Sequence, residues 1–292
     1  MTQIAEIADT VPRFPRQLES VLSDTRINLL RETQWYRESP VEPSGYPLRF
    51  SDRMPSAVVV PELGLSFLPF GASSGVIEGS DRAARGGSFA SFRSTAPFAI
   101  MDAEVTVGAY SRFVDANPQW APDNRDELAA TGRVDHDYLA DWPGALSRPG
   151  LPVTGVSYYA AQAFADWVGS QYLPNTHPAL PSESEWNALL ASGPISDGVF
   201  AGDSDGPVDA ASAGGTVSGV HGVAGNVWEW LEDWYGEYAM LYPAPPAGPA
   251  AQRVVRGGSW VTNRLTFDDM DRGSLPPDWC SPFVGFRLVI RY

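Results

Sequence analysis

The side chains that most often carry redox or metal chemistry are scarce in this sequence. Its one cysteine is Cys280, so neither an internal disulfide nor a zinc site built from cysteines can form within the chain. The three histidines lie in separate segments. His136, between Asp135 and Asp137, is the best single candidate for a metal ligand or a general base. No residue is identified as catalytic from its type and spacing alone.

A short acidic segment is the second feature with chemical potential. Asp268, Asp269 and Asp271 fall within four positions of one polar loop, flanked by Arg264 and Arg272. Two interpretations remain open. The carboxylates either lie in solvent or pair with these two arginines, or they receive a cationic group from a ligand by charge complementarity.

The composition indicates a folded protein with many turns. Hydrophobic residues make up 43% of the 292 residues, and the chain contains 28 glycines and 26 prolines. The formal net charge is −15, and every one of the 20 basic residues is arginine. This charge disfavours nucleic acid and anionic membranes as partners and is better suited to a cationic one. Neither a signal peptide nor a membrane-spanning segment is evident, which predicts a cytoplasmic protein.

Hydrophobic periodicity divides the chain into two parts. Apolar residues at helical spacing predict a helix over 15–38, followed by a proline-containing stretch, so residues 1–60 are expected to form an N-terminal helical arm. Residues 61–292 are expected to form the main domain. Its first part predicts a strand near 65–70 and then a Gly/Ser-rich loop over 71–87.

Capping residues predict where the helices of the main domain begin. Thr106 and Ser157 each precede an apolar helical pattern, and Ser182 and Glu185 form a capping-box sequence. The strongest strand patterns of the second half lie within 227–230, 254–260 and 286–290. Few helices, scattered strands and long loops indicate an α+β fold with much irregular structure.

Six segments in order resemble the formylglycine-generating enzyme (sulfatase-modifying factor) family. They cover roughly residues 65–292, and together they imply a C-type-lectin-like scaffold. The segments are Glu104-Val-Thr106, Asp137 to Trp142, Pro152 to Ser157, Leu180 to Trp186, Gly225-Asn-Val-Trp-Glu-Trp230 with Asp233, and Arg256-Gly-Gly-Ser-Trp260 with Gly285-Phe-Arg287.

The resemblance also shows what this chain lacks. The family's oxidases hold copper(I) with two cysteine thiolates, and Thr262 and Phe267 stand at those positions here. Cys280 cannot supply a pair, so we expect no copper. A second enzymatic branch, the sulfoxide synthases of thiohistidine biosynthesis, holds iron with three histidines on an N-terminal helical domain. Residues 1–60 contain no histidine.

The family often holds a structural calcium ion at its G-N-V-W-E-W turn. Gly225, Val227 and Glu229 are compatible with such a site, whereas the position of the upstream ligand is Gly222. The loss of one oxygen ligand weakens the prediction of calcium. Independently of metal, we expect the motif tryptophans to pack in the core, and Glu185 and Glu229 to be buried carboxylates paired with Arg256 or Arg287. The tryptophans in question are Trp186, Trp228, Trp230 and Trp260.

Two functions remain open. The resemblance places Ser259, Trp260, Thr262 and Arg264 at the floor of the family's substrate groove and the three aspartates at its rim. The first hypothesis is a binding protein that holds a peptide, a protein or a cationic small molecule in that groove. The alternative is a non-canonical metal-dependent oxidase of a biosynthetic or protein-modifying pathway, with a metal held by carboxylates and His136.

Overall fold

A computed structural model of the chain describes residues 56–81, 87–235 and 251–291. The helix predicted over 15–38, and with it most of the expected N-terminal arm, lies outside this part. Strand β1 (Val58–Val60) pairs with β2 (Leu65–Phe70). The last residues assigned to the arm therefore belong to the sheet of the main domain, which begins a few residues earlier than the sequence indicated.

The larger sheet has five antiparallel strands in the order β1-β2-β5-β11-β6. Strand β5 spans Phe98–Met101, β6 spans His177–Ala179 and β11 spans Val289–Arg291. The C-terminal strand β11 lies between β5 and β6 and pairs with both. The last residues of the described chain thus join its early and middle segments into one sheet.

A four-stranded sheet in the order β10-β7-β8-β9 forms the second half of the domain. Strand β7 (Trp228–Tyr235) pairs antiparallel with β8 (Gln252–Arg256), which in turn pairs with β9 (Gly273–Leu275). The short β10 (Val284–Gly285) runs parallel to β7. Because side chains alternate along a strand, the two tryptophans of the W-E-W motif share one face of β7 and the glutamate lies on the other.

The loop predicted over 71–87 is wrong. Strand β3 (Ser73–Asp81) and strand β4 (Gly87–Thr95) form a two-stranded antiparallel sheet with a continuous register from Ser73↔Thr95 to Asp81↔Gly87. Glycine and serine weaken a local strand signal. Backbone pairing along nine consecutive positions does not depend on that signal and sets the structure here.

Five α-helices occur in the described part of the chain. Three of them begin at the predicted caps: Thr106 Oγ1 accepts the amide of Ala109 at 3.2 Å, Ser157 Oγ accepts the amide of Ala160 at 3.0 Å, and Ser182 forms a capping box with its third helical residue. The other two were not predicted. None of these helices is long and apolar enough to cross a bilayer. The helices are α1 (Val107–Ala116), α2 (Arg125–Ala130), α3 (Trp142–Leu146), α4 (Tyr158–Gln171) and α5 (Glu183–Leu190).

Aromatic rings join the long helices to the sheets. Tyr110 of α1 stacks on Phe164 of α4 at 5.7 Å between ring centroids, and Phe164 contacts Phe286 edge-on at 5.5 Å. A second cluster of buried apolar side chains, contributed by both sheets, packs around Trp186 of α5. These two clusters hold the four-stranded sheet in a fixed position, and one of its faces carries the candidate site.

Candidate functional site

A cleft of about 290 Å³ lies over the four-stranded sheet. Each strand contributes to its lining: Trp228 from β7, Val255 from β8, Leu275 from β9 and Val284 from β10. Gly273 of β9 leaves room there, since a Cβ at this position would lie 2.7 Å from a methyl carbon of Val255. The floor of the cleft is therefore apolar and is shaped by contacts between neighbouring strands.

The loop after β8 forms one wall of the cleft, and hydrogen bonds stabilise its conformation. Gly258 adopts φ +77°, and a Cβ there would lie 3.1 Å from the ring of Phe267. The Ser259 amide donates to Thr262 Oγ1 at 2.9 Å, and the Trp260 amide donates to the Asn226 carbonyl at 2.9 Å. Ser259 and Thr262, two of the predicted groove residues, line the cleft. Trp260 instead packs its ring on Phe283 at 5.8 Å, next to the lining.

Both arginines near the acidic segment form ion pairs with carboxylates outside it. Arg264 forms ion pairs with Asp197 and, at 2.6 Å, with Asp203. Arg272 is buried and binds Glu183 through two hydrogen bonds of 2.7 and 2.8 Å. Arg264 is not among the residues that line the cleft.

The acidic segment has a defined shape of its own. Asp268 Oδ1 accepts the Met270 amide at 2.9 Å, and Asp271 Oδ2 accepts the Asp268 amide at 3.1 Å. Asp269 is exposed, and partial desolvation, followed by the nearby Asp268, raises the pKa of its carboxyl above the ordinary value. These carboxylates are not among the residues that line the cleft. They precede strand β9, whose residues line the cleft. Their role in binding therefore stays a prediction.

The residues predicted to hold calcium do not fit that ion. Glu229 is fully buried, and both of its carboxylate oxygens accept hydrogen bonds from Arg287, at 2.5 and 2.6 Å. Gly225 and Val227 supply backbone to the same turn. A guanidinium thus supplies the positive charge beside Glu229. Within the described ranges, no group of three or more Asp, Glu, His or Cys side chains is arranged to hold a metal.

Glu104 occupies the space beside this pair. Its carboxylate lies where a side chain on Gly222 would be, because a Cβ there would approach Glu104 Oε1 to 2.2 Å. Asn226 Nδ2 donates to Oε1 at 2.9 Å, whereas Oε2 has no hydrogen-bond partner among the described residues. Burial raises the pKa of Glu104 to about 7; Arg287 opposes this rise and Glu229 adds to it.

The donor set for copper(I) is missing as well. Thr262 lies in the cleft, and Phe267 packs against Phe200 with 4.8 Å between ring centroids. Cys280 is buried in the core, where its thiol donates to the Asp278 carbonyl at 3.5 Å. Burial raises the pKa of this thiol well above its ordinary value, which disfavours the thiolate that a metal requires. Neither copper position carries sulfur.

His136 is not among the residues that line the cleft. Its side chain is 83% exposed, and its Nδ1 is 3.8 Å from Asp126 Oδ1. Of its two acidic neighbours, Asp135 accepts the amides of Asp137 and Cys280, at 2.9 and 3.1 Å, so it stabilises the loop. The structure does not bring His136 together with the predicted groove residues.

Two of the expected ion-pair partners are wrong. Glu185 pairs with Arg291 at 2.7 Å and not with Arg256 or Arg287, while Arg256 pairs with Glu183 at 3.3 Å. The sequence also did not identify Trp228 as a cleft residue. The alternation of the W-E-W motif carried the signal, since it places Trp228 on the face of β7 opposite to the buried glutamate.

Comparison with known proteins identifies the family of this chain. The model of the sulfatase-modifying factor enzyme 1-like domain matches residues 87–206 and 202–292. The chain is 33% identical over 156 residues to the serine/threonine-protein kinase Pkn1 of Chlamydia trachomatis, covering 47% of this chain and 24% of the kinase. It is 31% identical over 175 residues to the formylglycine-generating enzyme of Streptomyces coelicolor, covering 49% of this chain and 53% of that enzyme.

The chain thus matches between a quarter and about half of the length of these relatives. The solved structure of PvdO from Pseudomonas aeruginosa shares the fold, with a TM-score of 0.61 and 17% identity over 83% of this chain and 100% of PvdO. The order of the motifs, the α+β architecture and the family match agree with one another. The chain belongs to the family of sulfatase-modifying factor enzyme 1-like domains, which includes formylglycine-generating enzyme.

Proposed function

We propose that this domain is a binding protein that holds a peptide or protein segment in the cleft over the four-stranded sheet. The observation that carries this proposal is the lining of the cleft. It combines apolar side chains such as Trp228 and Phe283 with the hydroxyls of Ser259 and Thr262, and it contains no charged side chain. Such a lining suits one apolar side chain and a few hydrogen bonds from its backbone.

A cationic small molecule is a poorer match for the cleft itself. Moving a charged group out of water is costly unless an opposite charge meets it, and no carboxylate lines the cleft. Carboxylates do occur at Asp268, Asp269 and Asp271, just before strand β9. A segment that places an apolar residue in the cleft and a basic residue beside this loop uses both features.

Exposed apolar side chains support the same proposal. Val261 lines the cleft and is 44% exposed, and Leu265 on the same loop is 92% exposed. Trp279, two residues before the cleft residue Ser281, is 51% exposed. A contiguous exposed apolar patch typically marks a surface that contacts another molecule, and we propose that these three side chains extend the cleft in this way.

The alternative function is a non-canonical metal-dependent oxidase. It draws support from the name of the formylglycine-generating relative and not from the geometry of the predicted ligands. Metal analysis of protein purified without added metal separates the two proposals. Stoichiometric iron or copper favours the oxidase.

Peptide selection tests the binding proposal directly. A phage library of random linear peptides is panned against the domain, and we expect enriched sequences in which an aromatic or aliphatic residue stands near arginine or lysine. The variant Val261→Trp places a bulky ring at the cleft and should lose these peptides. Val59→Trp, at a position 60% exposed outside the cleft, is the matched control and should retain them. Absence of enrichment, or equal binding by Val261→Trp, contradicts the proposal.

A further inference from the structure

A second pocket, open to solvent and about 410 Å³ in volume, lies between helix α4 and the turn that follows α2. Helix α4 contributes Tyr159, Gln162, Ala163 and Asp166, which share one face because they are spaced by three or four residues. The small side chain of Ala163 leaves the depression between its larger neighbours. None of these residues takes part in the cleft.

The opposite wall of this pocket is held in place by hydrogen bonds. Gly132, in the turn after α2, adopts φ +69°. Its amide donates to the Ala129 carbonyl at 2.9 Å, and the Arg133 amide donates to the Leu128 carbonyl at 3.1 Å. This is a Schellman C-cap. The Arg133 carbonyl accepts the Ser157 hydroxyl at 2.7 Å, which ties the turn to the N-terminus of α4. Both walls of the pocket are therefore fixed relative to each other.

The pocket contains two opposite charges that are not paired with each other. The guanidinium of Arg133 faces the ring of Trp120 at 5.9 Å and forms no ion pair with any described residue. Asp166 likewise has no ion-pair partner in the described part of the chain. Both side chains are exposed to solvent, and partial desolvation raises the pKa of the Asp166 carboxyl above its ordinary value. A cation and an anion in one pocket, each with free hydrogen-bonding capacity, complement a ligand that carries both charges.

We propose that this pocket binds a small zwitterion of the α-amino acid type. The ligand's carboxylate accepts paired hydrogen bonds from the planar guanidinium of Arg133, a geometry that carboxylates favour. Its ammonium group lies against the Asp166 carboxylate, and its side chain packs on Tyr159 and Ala163. The pocket volume falls in the range typical of small-ligand sites. This site is separate from the cleft and does not depend on the function proposed for it.

Ligand titration by NMR on the full chain tests the proposal. Each standard L-α-amino acid is titrated in turn, and we expect at least one to bind saturably with a Kd of about 1 mM or below. The N-acetyl derivative of that amino acid, which lacks the ammonium group, and its amide, which lacks the carboxylate, should bind at least about tenfold more weakly.

Two variants locate the binding. Arg133→Gln and Asp166→Asn should each weaken binding at least about tenfold. Arg112→Gln and Asp115→Asn, both exposed on α1, are matched controls that should bind as the wild type does. The carboxyl carbon of Asp166 should also titrate at lower pH when the amino acid is bound, because a nearby ammonium favours the carboxylate. Absence of saturable binding, or loss in only one of the two variants, overturns the zwitterion site.

Discussion

The buried pair of Arg287 and Glu229 offers the sharpest test of how this domain is stabilised. Both side chains are 0% exposed, and two hydrogen bonds join them. Arg287 also donates to the carbonyls of Met101 at 3.2 Å and His221 at 2.8 Å. The variant Arg287→Met keeps much of the side-chain length and removes the charge and all four hydrogen bonds. Glu229 is then left as a buried carboxylate without its cation.

The expected cost follows from this arrangement. Removing one partner of a buried pair typically costs about 3–5 kcal/mol, because the remaining charge is uncompensated. For a domain of this size, that corresponds to a fall in Tm of roughly 6–20 °C. Glu229→Gln should cost less. Arg287 would keep its two carbonyl partners, and the nearby Glu104 carboxyl can ionise to balance its charge.

Thermal unfolding followed by circular dichroism, with chemical denaturation as a second measure, tests the predicted loss of stability. We expect both variants to melt below the wild type and Arg287→Met to melt lowest. Melting temperatures within a degree of the wild type, or a larger loss in Glu229→Gln, would refute the reasoning. A wild-type Tm that rises by several degrees with added calcium, without such a rise in Glu229→Gln, would show that Glu229 is a metal ligand.

Three further predictions concern the motif tryptophans, the Glu104 carboxyl and copper(I). Trp230→Ala should cost about 3–5 kcal/mol and Trp228→Ala clearly less, because Trp230 is fully buried and Trp228 is half-buried at the cleft; equal losses of Tm would contradict this. Glu104 has a folded-state pKa of about 7, above its ordinary value, so its contribution to stability falls as pH rises from about 4.5 to 7; Glu104→Gln should flatten the pH profile of Tm and raise Tm at pH 8. In competition with a copper(I) chelator, the protein should not bind copper(I) tightly, and a one-to-one complex that survives Cys280→Ser would contradict the loss of the thiol pair.

Local signals predicted three of the five described α-helices. Thr106, Ser157 and the Ser182–Glu185 box each mark a helix start through a hydrogen bond that spans three residues, so short sequence windows contain the necessary information. The order of family motifs then predicted the scaffold. The loop predicted over 71–87 was wrong because the pairing of β3 with β4 depends on a partner strand and not on the residues of one segment.

The site was predictable only in part for a related reason. The family resemblance pointed to Ser259 and Thr262, and both line the cleft. The cleft residue Leu275 sits in a polar stretch with weak strand signal, and its position depends on β9 pairing with β8. The partners of Glu185 and Arg256 also come from distant segments, 106 and 73 residues away respectively, so charge sign alone did not identify them.

The most direct test of the binding proposal measures how the cleft and the acidic loop act together. A peptide selected on the wild type is titrated against the wild type and against the triple variant of Asp268, Asp269 and Asp271 to Asn, at low and high salt. The variant should bind at least about tenfold more weakly, or about 1.4 kcal/mol, and lose most of the salt dependence, because the screened attraction between the carboxylates and the basic residue is gone. Equal affinity with an unchanged salt dependence would contradict the proposal and show that the acidic loop is only a solvated surface.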